Sequence, residues 1–361
     1  MCMQIARPVA GAYLWAKRIY DMLLANVAHR AIPTLEGPPR AIGEPEMRDI
    51  HVFAAADNCP HPPGPSINWQ ESALYCWHDL KSGVGGFLRL GQEVNVAELN
   101  CCFGMFSNRQ RFRANVSGMP MVRSDRSDTH MGWGEHIRVD LDTNMITADF
   151  PDCEMKLRFE DFFSAYDYAG LVGGPPLPDG TPHHLEIGGR VTGTVRLGDE
   201  EITIDGLGYR DRSWGPRNWS IMRSTRWWPC VFGPDLTIHV LGCTMVPGTL
   251  LKCGFVMRNG EPLAIVDSDI LVTTGTDAIS PISGSSRLIL ENGETLELSC
   301  ETRDGIVMHV RGYTAVEAIG VAKLGDRIGM SNLEVCTNPT GGNQPPIITT
   351  RANNGVGLSR R

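Results

Sequence analysis

The sequence has no C-x-x-C pair, no G-x-x-x-x-G-K-[ST] loop, no G-x-S-x-G elbow and no strong basic run. Each absence removes a class of function. Without paired cysteine spacing the eleven cysteines lack a zinc-like arrangement. Several of them (Cys243, Cys253, Cys300) lie inside apolar runs, which fits buried free thiols in a reducing cytoplasm. "KSGVGGFLRLG" (Lys81 to Gly91) clusters glycines, but strand-like residues follow it directly, so it reads as a strand start or hairpin rather than a phosphate cradle. Without an elbow there is no recognisable serine nucleophile, and no local signature selects a nucleophilic cysteine. A net charge of −8 argues against a nucleic-acid or anionic-membrane partner, since both need a basic face. Long apolar runs are lacking too. In "PVAGAYLWAKRIYDMLLANVAHRAI" Lys17, Arg18 and Asp21 interrupt the one N-terminal candidate, which is too polar for a signal segment or a membrane span. Leu14, Ala16, Ile19, Leu23 and Leu24 instead recur at helical spacing. The expectation is a cytoplasmic protein with an amphipathic N-terminal helix packed on the body or on a second subunit, the latter making a homo-oligomer.

What the chain does have is glycine and proline, 40 and 24 of them, and many short alternating runs between turn signals. "HIRVDLD", "MKLRFED", "LTIHVLG" and "RLILENGETLELSC" show the period of two that marks strands. Asn259-Gly260 and Asn292-Gly293 sit between such runs as type I′ hairpin signals, and Leu197-Gly198-Asp199-Glu200 does similar work. Strands do not alternate with long helices, so a doubly wound α/β sheet is not expected and the body reads as antiparallel all-β, of barrel or sandwich type. The Gly/Pro-rich "AGLVGGPPLPDGTPHH" (Ala169 to His184) divides it. The expected organisation is an N-terminal helix and extension over 1–64, a first β-barrel over 65–175, a second over 176–345 and a C-terminal tail over 346–361.

Two stretches concentrate chemistry. In "NWQESALYCWHDL" a strand would place Trp69, Glu71, Ala73, Tyr75 and Trp77 on one face. A carboxyl among aromatics has its charged form disfavoured, so Glu71 is a candidate general acid near neutrality, against an exposed strand end with Glu71 in water. In "GLGYRDRSWGPRNW" (Gly206 to Trp219) Tyr209, Asp211 and Ser213 alternate with Arg210, Arg212 and Trp214. Asp211 beside two arginines suggests an ion-pair knot at a barrel corner, with the indoles of Trp214 and Trp219 covering the guanidinium planes. Set in an aromatic pocket, Asp211 is also a candidate proton donor or base. Alternation forbids Arg210 and Asp211 from both pointing inward. Metal is not expected: adjacent His183 and His184 diverge on a strand, and His130, Glu135 and His136 read as solvated loop residues.

"GLGYRDRSWGPRNW" resembles the G-x-G-x-R-D-H-S-W-G-x-R-x-W signature of a family of paired lipocalin-like β-barrels. That family includes the carotenoid 1,2-hydratases (hydroxyneurosporene synthases) and relatives that act as terpenoid cyclases and Diels–Alder-type cyclases. "INWQESALYCWHDLKSGVGGFLRLG" is similar to the W-x-E-S and G-x-G-G-x-x-R-x-G segment of a bacterial branch, and "RIGMSNLEVCTN" to the closing strand, where Glu334 follows G-x-x-x-x. The likeness spans roughly residues 65–340. It departs at Arg212, where the family commonly has His, so a relay at that position is absent or re-sited here.

The resemblance implies two consecutive lipocalin-like barrels enclosing a hydrophobic, cofactor-free cavity for an isoprenoid or polyketide-like molecule. Its simplest reaction is acid catalysis at an alkene or tertiary alcohol, through a carbocation stabilised by aromatic faces. Glu71 and Asp211 are then the acid/base candidates, Tyr75 and His239 the relays, and Trp69, Trp77, Trp214, Trp227 and Trp228 the walls, with Arg210 and Glu334 also toward substrate. Three functions stay open: a terpenoid hydro-lyase, a cyclase that positions a polyene, and a carrier of hydrophobic ligands.

Overall fold

Side-chain alternation sets the architecture. In "CEMKLRFED" every second residue is buried, as a strand with one face on a core requires. The structure, a computed structural model, describes residues 50–173, 183–245, 249–277, 279–310, 313–337 and 356–360. The expected N-terminal helix lies outside them.

Strands β1 (Trp69–Asp79), β2 (Val84–Glu93), β3 (Glu98–Phe106) and β4 (Gln110–Pro120) form a meander. The short β5 (His130–Trp133) and β6 (Ile137–Asp140) follow, then β7 (Met145–Phe150), β8 (Cys153–Asp161), β9 (His183–Leu197) and β10 (Glu200–Pro216). The barrel strands are β11 (Met222–Gly233), β12 (Leu236–Met245), β13 (Thr249–Arg258), β14 (Glu261–Thr274), β15 (Pro281–Leu290), β16 (Thr295–Val310), β17 (Tyr313–Leu324) and β18 (Arg327–Thr337). These eight close on themselves through β11 and β18. The other strands, with β19 (Val356–Arg360), make one curled eleven-stranded sheet ordered β19-β4-β3-β2-β1-β10-β9-β8-β7-β6-β5. All pairing within both is antiparallel.

Four expectations are corrected here. Residues 183–216 were assigned to the second barrel, yet β9 and β10 are central strands of the first sheet, with β10 pairing directly to β1. The sheets therefore change over between Pro216 and Met222, not near 170–183. Residues 356–360, expected in a tail, add β19 to the edge of β4. The first sheet also stays open, with β19 and β5 as its edges. Among the hairpins, Asn259 and Gly260 both take positive φ (52° and 84°), as a type I′ turn demands. At Asn292-Gly293 only the glycine does, at 84°, so that turn is of a different type.

Three apolar clusters follow from this layout. One fills the concave face of the first sheet, around Tyr75, Trp77, Phe103 and Phe159. Another fills the closed barrel, around Trp228, Ile238 and Leu333. The third lies in the seam where the back of β1, β2, β3 and β10 meets the outside of the barrel, and includes Leu74, Phe87, Tyr209, Trp227 and Ile306. Polar bonds fasten the seam: Asn115 Nδ2 donates to the Val307 carbonyl (2.9 Å), and Arg113 pairs with Asp304 (3.0 Å). All ten cysteines among the described residues are free, and nine are buried. No helix among the described residues is long and apolar enough to cross a membrane.

Candidate functional site

Strand register puts two carboxyl groups side by side. Asp211 on β10 is paired with Glu186 on β9, so both side chains leave the same face. That face looks into the seam. His184, two residues before Glu186, and Tyr209, two before Asp211, share it by the same period. From the barrel come His239 on β12 and Trp227 on β11. Gly188 allows this approach, because a Cβ there would stand 2.2 Å from Thr237 Oγ1 on β12. A single helical turn, Tyr168–Leu171, lays Tyr168 over the cluster.

The distances describe a proton-active group. His184 Nε2 lies 3.1 Å from Asp211 Oδ2 and 3.3 Å from Glu186 Oε1. His239 Nε2 lies 3.5 Å from Glu186 Oε2, and His239 Nδ1 is 3.2 Å from the Tyr168 hydroxyl. Trp227 Nε1 donates to Glu186 Oε1 at 2.9 Å. Glu186 and His239 have no exposed surface. Tyr209 stacks on His239 with ring centroids 6.0 Å apart.

Burial and charge drive the two carboxyls in opposite directions. Burial pushes Glu186 up to about 7, the Asp211 charge adding to the rise while His184 opposes it. Burial works against an ionised Asp211 as well, but His184, with Arg217 and Arg89 at longer range, holds it below the ordinary carboxylate range. Burial opposes a charged His184, yet Asp211 and Glu186 raise its pKa. His239 is neutral, pushed down to about 3 by burial and by the neighbouring His184. These directions favour an Asp211–His184 ion pair beside a Glu186 carboxyl that holds its proton more readily than an ordinary glutamate. Two adjacent carboxyls separated in this way have the chemistry of an acid beside a base.

His184, Glu186 and Asp211 also offer three ligand atoms within 4.8 Å of one another, the one such group among the described residues. His184 Nε2 lies within ion-pair distance of both carboxylates but makes no hydrogen bond to either, and Glu186 Oε2, Asp211 Oδ1 and His239 Nε2 are likewise without hydrogen-bond partners among the described residues, so the cluster keeps unused donors and acceptors. His130 and His136 do not converge: one bonds Ser127 (2.5 Å) and the other the Asp149 carbonyl (3.1 Å).

Of the residues picked from sequence, Asp211, His239 and Trp227 meet in this cluster. Glu334 sits one strand from Trp227, where its Oε1 accepts from the Thr225 and Tyr313 hydroxyls, each at 2.5 Å. The others lie elsewhere. Glu71 leaves the opposite face of the first sheet, is fully buried, and pairs with Arg212, Arg126 and His61. Although burial would raise its pKa, Arg212, His61 and Arg126 pull it down to about 2, so it is a structural carboxylate and not a raised acid. Tyr75 and Trp77 pack in the concave core, and burial pushes the Tyr75 hydroxyl up to about 12. Arg210 pairs with Asp161 at 2.7 Å, and Trp69 and Trp214 border a separate small cluster with Phe53 and Leu185. The expected knot of Asp211 with Arg210 and Arg212 does not form, because alternation sends both arginines to the far side. The indole cover does occur: Arg217 lies 4.2 Å over Trp219, and Arg212 lies 5.8 Å over Trp214.

Trp228, expected as a cavity wall, points into the closed barrel, where Nε1 donates to Ser331 Oγ at 2.9 Å. Trp228→Ala is therefore expected to cost about 3–5 kcal/mol of stability in a denaturant titration, with the product of any reaction unchanged.

Sequence reasoning missed His184, Glu186, Tyr168 and Tyr209 as site residues. His183 and His184 do diverge, His183 stacking on Trp214 at 5.2 Å. The legible signal was the H-x-E spacing of His184 and Glu186, which puts both on one face of a strand.

The fold defines a class: the chain has the paired lipocalin-like β-barrel fold, made here of one closed barrel and one curled, open sheet. Kievitone hydratase from Nectria haematococca has the same fold, with a TM-score of 0.57 and 13% identity over 81% of this chain and 94% of that one. CghA bound to Sch210972 gives 0.56 and 9% over 77% and 90%. A protein from Nitrosomonas europaea assigned as an AttH gives 0.55 and 10% over 81% and 98%. Residues 54–339 match the DUF7064 family, described as a domain of unknown function, and the chain belongs to that family. No curated protein matches the sequence.

Proposed function

We propose that this protein is a cofactor-independent hydro-lyase that dehydrates or hydrates a terpenoid alcohol or alkene held in the seam between sheet and barrel. The observation that carries the reading is the buried Glu186–Asp211 pair, one carboxyl raised and the other lowered, bridged by His184. Support also comes from the surroundings, since Tyr209, Trp227 and Phe255 present aromatic faces around His239. In the dehydration direction the Glu186 carboxyl protonates a tertiary hydroxyl, the C–O bond breaks and water leaves. The carbocation is stabilised by the rings of Tyr209 and Trp227. Asp211 takes the proton from the adjacent carbon, whose C–H electrons form the alkene. His184 then passes its Nε2 proton to Glu186 and regains one from Asp211, which restores the starting state. Hydration is the reverse. The sharing of this fold with a kievitone hydratase agrees with that chemistry.

Incubating purified protein with a panel of terpene alcohols, without added metal or cofactor, should yield alkene detectable by gas chromatography. Asp211→Asn should lower that rate by roughly 10²–10⁴-fold, the usual contribution of a positioned base. Cyclised product with carboxylate variants as active as wild type would instead indicate a cyclase that only positions a polyene. Recovery of every alcohol unchanged would defeat the hydro-lyase reading and leave ligand carriage. Stoichiometric metal in active protein, with loss of activity on chelation, would defeat the proton-relay reading.

A further inference from the structure

Two rows of side chains face each other across the seam. On the sheet, register aligns Glu186, Asp211, Leu74, Arg89 and Cys102 across five neighbouring strands. On the barrel it aligns Leu241, Trp227, Glu334, Glu317 and Ile306. The acid pair occupies one end of the first row, and Arg89 stands two strands from Asp211, about 10 Å away at ordinary strand spacing.

Arg89 is 4% exposed, and its Nη2 has no hydrogen-bond partner among the described residues. Its guanidinium lies 5.3 Å over the Trp219 ring, which Arg217 also covers. Gly91 makes room for it, since a Cβ there would stand 2.8 Å from Arg89 Nη1. The carboxyls that influence it are engaged elsewhere: Asp211 with His184, and Glu93 with Asn100 Nδ2 at 3.1 Å. Burial and neighbouring Glu334 push the pKa of Glu317, across the seam, well above the ordinary carboxylate range. Asp211 is thus a single carboxylate influenced by three cations, His184, Arg217 and Arg89. A buried guanidinium with unused donors is costly unless an acceptor meets it, and its planar fork matches a carboxylate or enolate.

We infer that Arg89 anchors an acidic oxygen group, a carboxylate or enolate, of an apolar substrate whose reacting carbon lies at Glu186–Asp211. Such a substrate is bifunctional, with its acidic end about 10 Å along the chain from the reacting centre. This rests on the hydro-lyase reading only in placing the substrate in the seam, and its test does not depend on turnover.

The test compares farnesoic acid, its methyl ester and farnesol, with binding followed by quenching of tryptophan fluorescence. The acid is expected to bind wild-type protein about tenfold more tightly than the ester, as a charge-assisted pair should. Arg89→Met should erase that preference without weakening the ester, and Arg89→Lys should retain part of it. Equal binding of acid and ester by wild type, or a preference that survives Arg89→Met, overturns the Arg89 assignment alone. Should none of the three bind, both this inference and the apolar-substrate reading of the seam fall. The wild-type comparison stands even if Arg89→Met does not fold.

Discussion

Glu186→Gln is expected to lower kcat by about 10³-fold or more while leaving the fold intact, because it removes the carboxyl beside Asp211 and His184 whose pKa, raised to about 7, suits it to deliver a proton near neutrality. Glutamine keeps the shape of the protonated acid and still accepts from Trp227 Nε1, which in the native protein bonds Glu186 Oε1 at 2.9 Å. It also relieves the repulsion between Glu186 and Asp211 that register imposes. The melting temperature should therefore hold or rise as the rate collapses. The pH dependence has a definite sign. Glu186 works as the acid, its pKa is raised to about 7, and the dehydration rate should fall as pH rises through that value. The group also favours folding while protonated, a contribution fully present below the unfolded value of 4.5 and lost as pH rises from there to about 7. A rate–pH profile of dehydration, measured beside the variant, checks both points. Turnover by Glu186→Gln within threefold of wild type would remove Glu186 from the mechanism.

Glu71→Gln should act in the opposite way, on stability and not on chemistry. Glu71 is fully buried between Arg212, Arg126 and His61, and Arg212 also donates to the carbonyls of Asn58, Cys59 and Ser72. Removing the carboxylate leaves two guanidinium groups with their principal counter-charge gone. The expected loss is about 3–5 kcal/mol, the usual consequence of breaking a buried pair from one side. Here the folded pKa is depressed, from 4.5 to about 2. The stabilisation is thus present above the unfolded value and lost as pH falls from about 4.5 toward 2, a contribution of roughly 3 kcal/mol. Denaturant midpoints measured from pH 7 down to pH 3 should converge for wild type and variant. A midpoint at pH 7 unchanged by the substitution would show that the pair carries no stability. Arg212→His, which restores the residue common in the resembling family, should destabilise similarly, because imidazole cannot make the four contacts of this guanidinium.

Much of the fold was legible because strand periodicity is local. "MKLRFED" and its neighbours alternate as a half-buried strand must, and Asn259-Gly260 announced its own turn. Closure of the first sheet and the changeover point were not legible in the same way. Whether β10 joins β1 or the barrel is settled by packing among residues more than 130 positions apart, as the Leu74–Asp211 pairing shows. The site divided along the same line. Asp211 was found because its motif is dense, whereas Glu186 looks like any strand glutamate until register sets it against Asp211. Glu71 misled for a related reason: aromatics beside it in sequence suggested a raised acid, but the cations that govern it, Arg126 and Arg212, come from distant segments.

Gly188, where the first sheet comes within contact of β12, has a wider consequence. Proton affinity at Glu186 is a property of the joint between the two halves and belongs to neither alone. A sheet parted from its barrel would admit solvent to Glu186 and return it to an ordinary, ionised glutamate. Assembly of the two halves and acid strength are then one variable, and a side chain at position 188 would unset both together.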